Sequence, residues 1–280
     1  MNDLQKVLLE NLKEFIRVCE KHNLRYYLVT GSALGAVRHK GFIPWDDDID
    51  VAMPRNDAMK LLALKDEFKE PYFLQHYTTD PSFPYPFMKL RNSATTFEEG
   101  LLKFHKINHG IYIDIFIIDG MSKTSTLKNK WKNALMWPVM YLIYAANFWQ
   151  KPRKNTFILQ ILLYLVSILL LPFKINNWLI KALDKSMAKI PFEEATLVGA
   201  YLLWGGNKEA MDKRIYGPGV KMKFETIEAV LPENYDAYLI NRYGNYMELP
   251  PEHKRVGHHK PSALSTKVSY KDYYKRKKRR

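Results

Sequence analysis

Four carboxylates fall within five consecutive positions of this chain, Asp46, Asp47, Asp48 and Asp50, and an apolar frame encloses them. Phe42-Ile43-Pro44-Trp45 runs up to the cluster, and Ile49 and Val51 interleave with its end. A solvated acidic loop has no use for such a frame. Asp48, Asp50 and Ala52 alternate with Ile49, Val51 and Met53, the period of a strand with one polar edge, so Asp48 and Asp50 project to the same side. In a partly buried site, carboxylates this close repel by on the order of several kcal/mol unless a cation lies between them. The pair is therefore expected to share a divalent cation, with Asp46 joining if the strand geometry extends that far. Oxygen donors and a single cysteine, Cys19, favour Mg²⁺ or Mn²⁺ over zinc.

The segments around this cluster read as strands interleaved with helices. Leu4, Val7, Leu8, Leu12, Phe15, Ile16 and Cys19 recur at helical spacing over residues 3–22. The extended run Tyr26-Tyr27-Leu28-Val29 ends at Thr30-Gly31-Ser32, and a helical turn over Ala33 to Arg38 follows. Pro54 closes the acidic strand before a helix over Asn56 to Leu64. Strands are expected at 72–77, 86–92 and 111–118. In the last, the isoleucines occupy one face and Tyr112, Asp114 and Phe116 the other. This pattern indicates an α/β or α+β catalytic core over about residues 1–120. Beyond it, 176–206 reads as helical, a short helix runs up to Arg242, and 244–268 reads as loop.

Candidate site residues follow from these placements. A Gly31-Ser32 turn at a helix start offers backbone N–H groups and a hydroxyl to a phosphate. Arg38, His39 and Lys40 are candidate positive partners, and Lys89 and Arg91, two apart on a strand, are a second pair. Asp114 stands on an otherwise apolar strand, where an unpaired carboxylate is costly. It is a candidate third metal ligand or general base, the alternative being an ion-paired structural acid.

Charge and hydropathy shift after Met121. Residues 133–150 and 155–173 carry no charge, and Lys151-Pro152-Arg153-Lys154 separates them. A spanning helix needs about 20 apolar residues, and these stretches reach that length at most. A hairpin dipping into the cytoplasmic leaflet, edged by Trp131, Trp137, Trp149 and Trp178, is the expectation. Two buried core helices and a true spanning hairpin are the alternatives. The net charge is +14, of which the last ten residues supply +6. That run suits an anionic surface or is simply solvated. With no signal-peptide pattern at the start, a cytoplasmic location, peripheral on the inner membrane face, is expected.

The acidic segment resembles the LicD family, the phosphocholine transferases and their relatives in the nucleotidyltransferase superfamily. Gly31-Ser32, Asp48-x-Asp50 and Asp114 follow the superfamily's order. The narrower likeness rests on Gly35-Ala36-Val37-Arg38-His39-x-Gly41-Phe42-Ile43-Pro44-Trp45-Asp46-Asp47-Asp48-Ile49-Asp50 and Ile113-Asp114-Ile115-Phe116. Arg242-Tyr243-Gly244-Asn245-Tyr246-Met247, Leu249-Pro250-Pro251 and His258-His259 extend it.

The resemblance implies an α+β fold: a nucleotidyltransferase-like mixed sheet flanked by helices, with a hydrophobic helical insert. The catalytic core would span 1–120, the insert 121–190, a segment completing the site 191–270, and a basic tail 271–280. It also implies a CDP-activated donor such as CDP-choline and a sugar or polyol hydroxyl on a lipid-linked, cell-surface glycan as acceptor. Asp48 and Asp50 would hold the metal on the pyrophosphate, with Asp46 as an added ligand. Asp114 would ligate the metal or take the hydroxyl proton. Gly31 and Ser32 would face the donor phosphates, and Lys89, Arg91 and His258 would contact phosphate or acceptor. The basic tail and the Trp-rich insert would meet an anionic membrane, and no nucleic acid is expected. The competing readings are a nucleotidyltransferase that uses an NTP and releases pyrophosphate, and a non-catalytic membrane or nucleic-acid adaptor.

Overall fold

The computed structural model describes residues 1–100, 102–103, 105–121, 165, 175–203 and 209–279. The chain opens with α1 (Asp3–Lys21). Asn2 caps it by accepting from the Gln5 backbone N–H, while the Gln5 side chain accepts from Asn2 N–H, a reciprocal capping box. Leu8, Leu12, Phe15, Ile16 and Cys19 form its buried stripe, as their spacing requires. Short β1 (Tyr27–Leu28) leads into α2 (Thr30–His39), and the acidic segment then enters β2 (Asp50–Pro54). Helix α3 (Arg55–Ala63), β3 (Tyr72–Gln75), β4 (Met88–Asn92), β5 (Thr96–Glu98) and β6 (Ile111–Met121) follow.

The main sheet has the order β1-β2-β6-β4-β3 and is mixed. β2 and β6 run parallel, and the other pairings are antiparallel. Helix α1 packs on β4 and β6, and α3 on β2 and β6. The Asn11 amide reaches through the apolar layer to donate to the Ile111 carbonyl at 3.0 Å. Such a bond satisfies a buried polar group and fixes the helix on the sheet. Fold class thus agrees with the sequence: α+β with a mixed sheet and helices against it.

The second half adds α4 (Ile175–Met187), β7 (Leu197–Gly199) and β8 (Met211–Asp212). β7 pairs with the far end of β6, opposite Asp119 to Met121. Next come the hairpin β9 (Val220–Phe224) and β10 (Ile227–Leu231), then α5 (Tyr235–Tyr243), β11 (Ala263–Ser265) and α6 (Tyr270–Lys278). β11 pairs with β5. Half-buried Arg55 ties these parts together, donating to Asp119 on β6 at 2.8 Å and to Asp184 on α4 at 2.7 Å.

Two expectations change. Helix is not continuous over 176–206: α4 ends at Met187 and β7 intervenes. Pro191 explains the break, because it lacks an N–H and turns the preceding residue away from helical geometry. The stretch 244–268 is not loop throughout, since β11 lies in it and pairs with β5, and the basic tail that follows forms the helix α6, capped by Ser269 accepting from Asp272 N–H. Tyr274 donates to Glu98 and fixes that helix on β5, leaving Lys271, Lys275, Arg276 and Lys278 exposed. Of the expected insert over 121–190, residues 122–164 and 166–174 lie outside the described residues. Among the described residues, no helix is long and apolar enough to cross a membrane.

Candidate active site

The sheet register builds the site. Asp50 on β2 pairs with Asp114 on β6, Asp114 pairs with Lys89 on β4, and Lys89 pairs with Gln75 on β3. Directly paired residues share a face of the sheet, so one polar row crosses four strands. In the neighbouring row Arg91 pairs with Tyr112. The ladder of β5 and β11 covers this face: Phe97 meets Tyr112 edge-on at 5.3 Å. Burial of so many charged groups on one face is unusual for a sheet and makes it the candidate site.

Each carboxylate has its own tether. The hydroxyl of Thr30 donates to Asp50 Oδ2, and the Asp50 backbone N–H donates to Ser32 Oγ at 2.9 Å. Thr30 adopts φ +50°, a left-handed conformation that costs a β-branched residue about 1–3 kcal/mol. Buried Tyr238 on α5 holds it there, accepting from Thr30 N–H at 3.1 Å. Gly31 matters for space: a Cβ built on it would stand 2.8 Å from Asp46 Oδ2. The turn carrying Asp46 is pinned from α1, since the Gln5 amide donates to the Asp46 carbonyl at 3.0 Å. Asp47 faces the C-terminal loop, accepting from His259 N–H at 3.0 Å and from His258 N–H at 3.3 Å.

Electrostatics follow from this crowding. Burial lifts Asp48 and Asp50 well above the ordinary carboxylate range, and the neighbouring charges of Asp46, Asp48 and Asp114 add to it. Burial likewise raises Asp46 to about 6, with Asp50 and Asp47 contributing. Asp114 is raised by burial despite the pull of Lys89. Burial opposes protonation of His259, but Asp47 and Asp48 outweigh it and raise the imidazole to about 9.

The expected ligands are brought to one end of the sheet, but not as a finished quartet. Among the described residues, the trio whose ligand atoms all lie within 4.8 Å of one another is Asp47, Asp48 and His259. Mutual repulsion and separate tethers account for this: Asp50 is held by Thr30, Asp114 by Lys89, and Asp46 lies against Gly31. Asp47 anchors His259 beside Asp48. The donor set nonetheless suits Mg²⁺ or Mn²⁺: hard oxygens, buried and mutually destabilised. Asp114 Oδ1 is a buried oxygen with an ion contact to Lys89 but no aligned hydrogen bond.

Other candidates divide. Lys89 Nζ stands 3.0 Å from Asp114 Oδ1 and 2.9 Å from Glu99 Oε1. Arg91 is fully buried and committed to protein partners: Gln75, the Gly110 carbonyl at 2.8 Å and Glu99 Oε2 at 2.7 Å. A donor phosphate would have to displace them. Arg38 donates to the Tyr246 carbonyl at 2.7 Å and to the Glu248 carbonyl at 3.2 Å, fixing the loop after α5. His258 keeps its ring exposed; its neighbour His259 is the one whose ring meets the carboxylates.

Sequence reasoning passed over Thr30, Glu99, Tyr238 and His259. Glu99 had a usable signal: two cations at one strand edge call for a buried anion, and Glu98-Glu99 follow closely in sequence.

Residues 23–145 match the family described as "LicD/FKTN/FKRP, nucleotidyltransferase domain". Over 275 residues the chain is 27% identical to the lipopolysaccharide cholinephosphotransferase LicD of Haemophilus influenzae, covering 92% of this chain and 96% of that protein. A shorter match, 40% identical over 53 residues, joins it to the human ribitol 5-phosphate transferase FKRP, covering 19% of this chain and 11% of that one.

Proposed function

The chain belongs to the LicD/FKTN/FKRP nucleotidyltransferase domain family, and from that premise we propose that it transfers a phospho-alcohol group. The donor is a CDP-activated alcohol, either CDP-choline or a CDP-polyol, and the acceptor is a hydroxyl of a lipid-linked cell-surface glycan. Both relatives carry phospho-alcohol transfer in their names, one of choline phosphate and one of ribitol 5-phosphate. The observation that carries the reading is the cross-strand pair Asp50 and Asp114, flanked by Asp46 and Asp48 and standing beside the start of α2.

Asp48, Asp50, Asp46 and Asp114 are the residues that would hold Mg²⁺ or Mn²⁺. Bound there, the cation supplies charge neutralisation for the donor's pyrophosphate. The protein's own groups orient and deprotonate. Helix α2 would present its positive N-terminal end to the donor phosphates at Gly31 and Ser32, and the bare Gly31 lets Asp46 lie close against that end. The acceptor oxygen attacks the alcohol-bearing phosphorus, a P–O bond forms, the P–O bond to CMP breaks, and Asp114 takes the hydroxyl proton. Tyr238 and Thr30 keep Asp50 in place, and His259 keeps Asp48 in place.

The exposed basic face of α6 suits peripheral contact with an anionic membrane, on the inner face where a lipid-linked acceptor is reached. The test is CMP release from a panel of CDP-activated alcohols with Mg²⁺ and a glycan acceptor. CMP from at least one donor supports the reading, and none from any donor overturns it. Pyrophosphate from an NTP instead would point to nucleotidyl transfer.

A further inference from the structure

A line of buried charges leads away from the acidic quartet: Asp114, Lys89, Glu99, Arg91. The ammonium of Lys89 lies almost midway between two carboxylates, 3.0 Å from Asp114 Oδ1 and 2.9 Å from Glu99 Oε1. Aromatic faces surround it, with the Tyr112 ring centre at 3.4 Å, Phe87 at 5.8 Å and Tyr85 at 5.9 Å. A cation in such a cage is stabilised without being fixed to one partner. Glu99, in contrast, is clamped. Its second oxygen accepts from Arg91 at 2.7 Å, and Arg91 is itself held by the Gly110 carbonyl and Gln75.

A divalent cation and an ammonium cannot both lie close to one carboxylate in a buried site without strong repulsion. From this geometry we propose that Lys89 is an exchangeable counter-ion: it is shared between Asp114 and Glu99 until a divalent cation binds Asp114, and is then left to Glu99 alone. Glu99 is the receiving group, and Arg91 holds it ready. Glu99 and Arg91 act here through Lys89, as positioning residues. The exchange rests on reading the acidic quartet as a cation site. It gives Lys89 a role other than contact with the donor phosphate. It also explains why two cations and an extra acid are buried beside carboxylates that already repel one another.

The exchange predicts effects of opposite sign, measured as Mn²⁺ binding to the full chain by electron paramagnetic resonance. Glu99→Gln removes the receiving charge, so Lys89 competes harder for Asp114 and Mn²⁺ binding weakens about tenfold. Lys89→Met keeps an apolar side chain in the aromatic cage and removes the competitor, so Mn²⁺ binds as tightly as in wild type or more tightly. Joining Lys89→Met to Glu99→Gln returns the affinity to within about threefold of wild type. A general loss of packing would not be reversed by a second substitution.

Unchanged affinity in Glu99→Gln, weakened affinity in Lys89→Met, or no recovery in the double variant overturns the exchange. Wild type that binds no Mn²⁺ overturns it together with the cation site. If the sign pattern holds but no CDP-alcohol is turned over, the exchange stands and the transfer reading falls.

Discussion

Asp114 and Lys89 occupy paired positions on adjacent antiparallel strands, and their charged ends meet at 3.0 Å with almost no access to water. On the other side of Asp114, at the same level, stands Asp50. A carboxylate between a cation and a like charge is in a contest, and the partner that arrives from solution decides it.

Asp48→Asn and Asp50→Asn should each lower turnover by three orders of magnitude or more, roughly the scale of losing a charge used in the transition state. The fold should survive, since each change removes repulsion. Melting temperatures equal to or above wild type, read by circular dichroism, would go with that loss of CMP release.

Gly31→Ala places a methyl group 2.8 Å from Asp46 Oδ2. Asp46 or the start of α2 must shift, and turnover should fall about 10- to 100-fold. Activity within twofold of wild type would show that the close approach of Gly31 to Asp46 has no catalytic part.

The two adjacent histidines should separate. His259→Ala removes the ring that bridges Asp47 and Asp48 and should cost about tenfold or more in turnover, while His258→Ala, with an exposed ring, should stay within about twofold. Equal effects would contradict the assignment.

Without added divalent cation, the contribution of Asp46 and His259 to stability should fall as pH rises from about 4 to about 9. Asp46 is raised from 3.8 to about 6, so the folded state holds its proton longer and stability is lost across that interval. His259 is raised from 6.5 to about 9, so its contribution is complete below 6.5 and disappears as pH climbs through about 9. Melting temperature against pH checks both limbs. His259→Gln should flatten the upper limb alone, and Mg²⁺ should reduce the lower one.

Arg91→Met removes a cation from a buried cluster and leaves Glu99 with half its partners. A loss of about 3–5 kcal/mol is expected by urea denaturation. A loss below about 1 kcal/mol would mean that the guanidinium is not the clamp its contacts describe.

Much of this architecture is legible in the sequence because strand alternation is local. The shared side of Lys89 and Arg91 follows from period two alone, whereas Asp48 lies ahead of β2, which begins at Asp50. Which positions face each other does not. Asp50 and Asp114 are far apart in sequence, and their pairing is set by the parallel crossover, which no local pattern records. The choice between His258 and His259 is illegible for another reason: a loop without periodicity has no rule for the side its residues face. Thr30 reads as an ordinary strand end, and only its neighbours in space, Tyr238 and Asp50, reveal the left-handed backbone. The helix expected over 176–206 overran because apolar spacing continued while Pro191 quietly ended it.

The Arg55 bridge has one more consequence. The chain leaves β6 at Met121 and re-enters the described structure at α4, where Asp184 is joined through Arg55 to Asp119, and the Gly120 N–H donates to the Ile190 carbonyl at 2.9 Å. Both ends of residues 122–174 are therefore fastened to one strand terminus, five positions beyond Asp114. The strand that carries Asp114 is thus also the anchor of α4, and breaking the Arg55 bridge would loosen both at once.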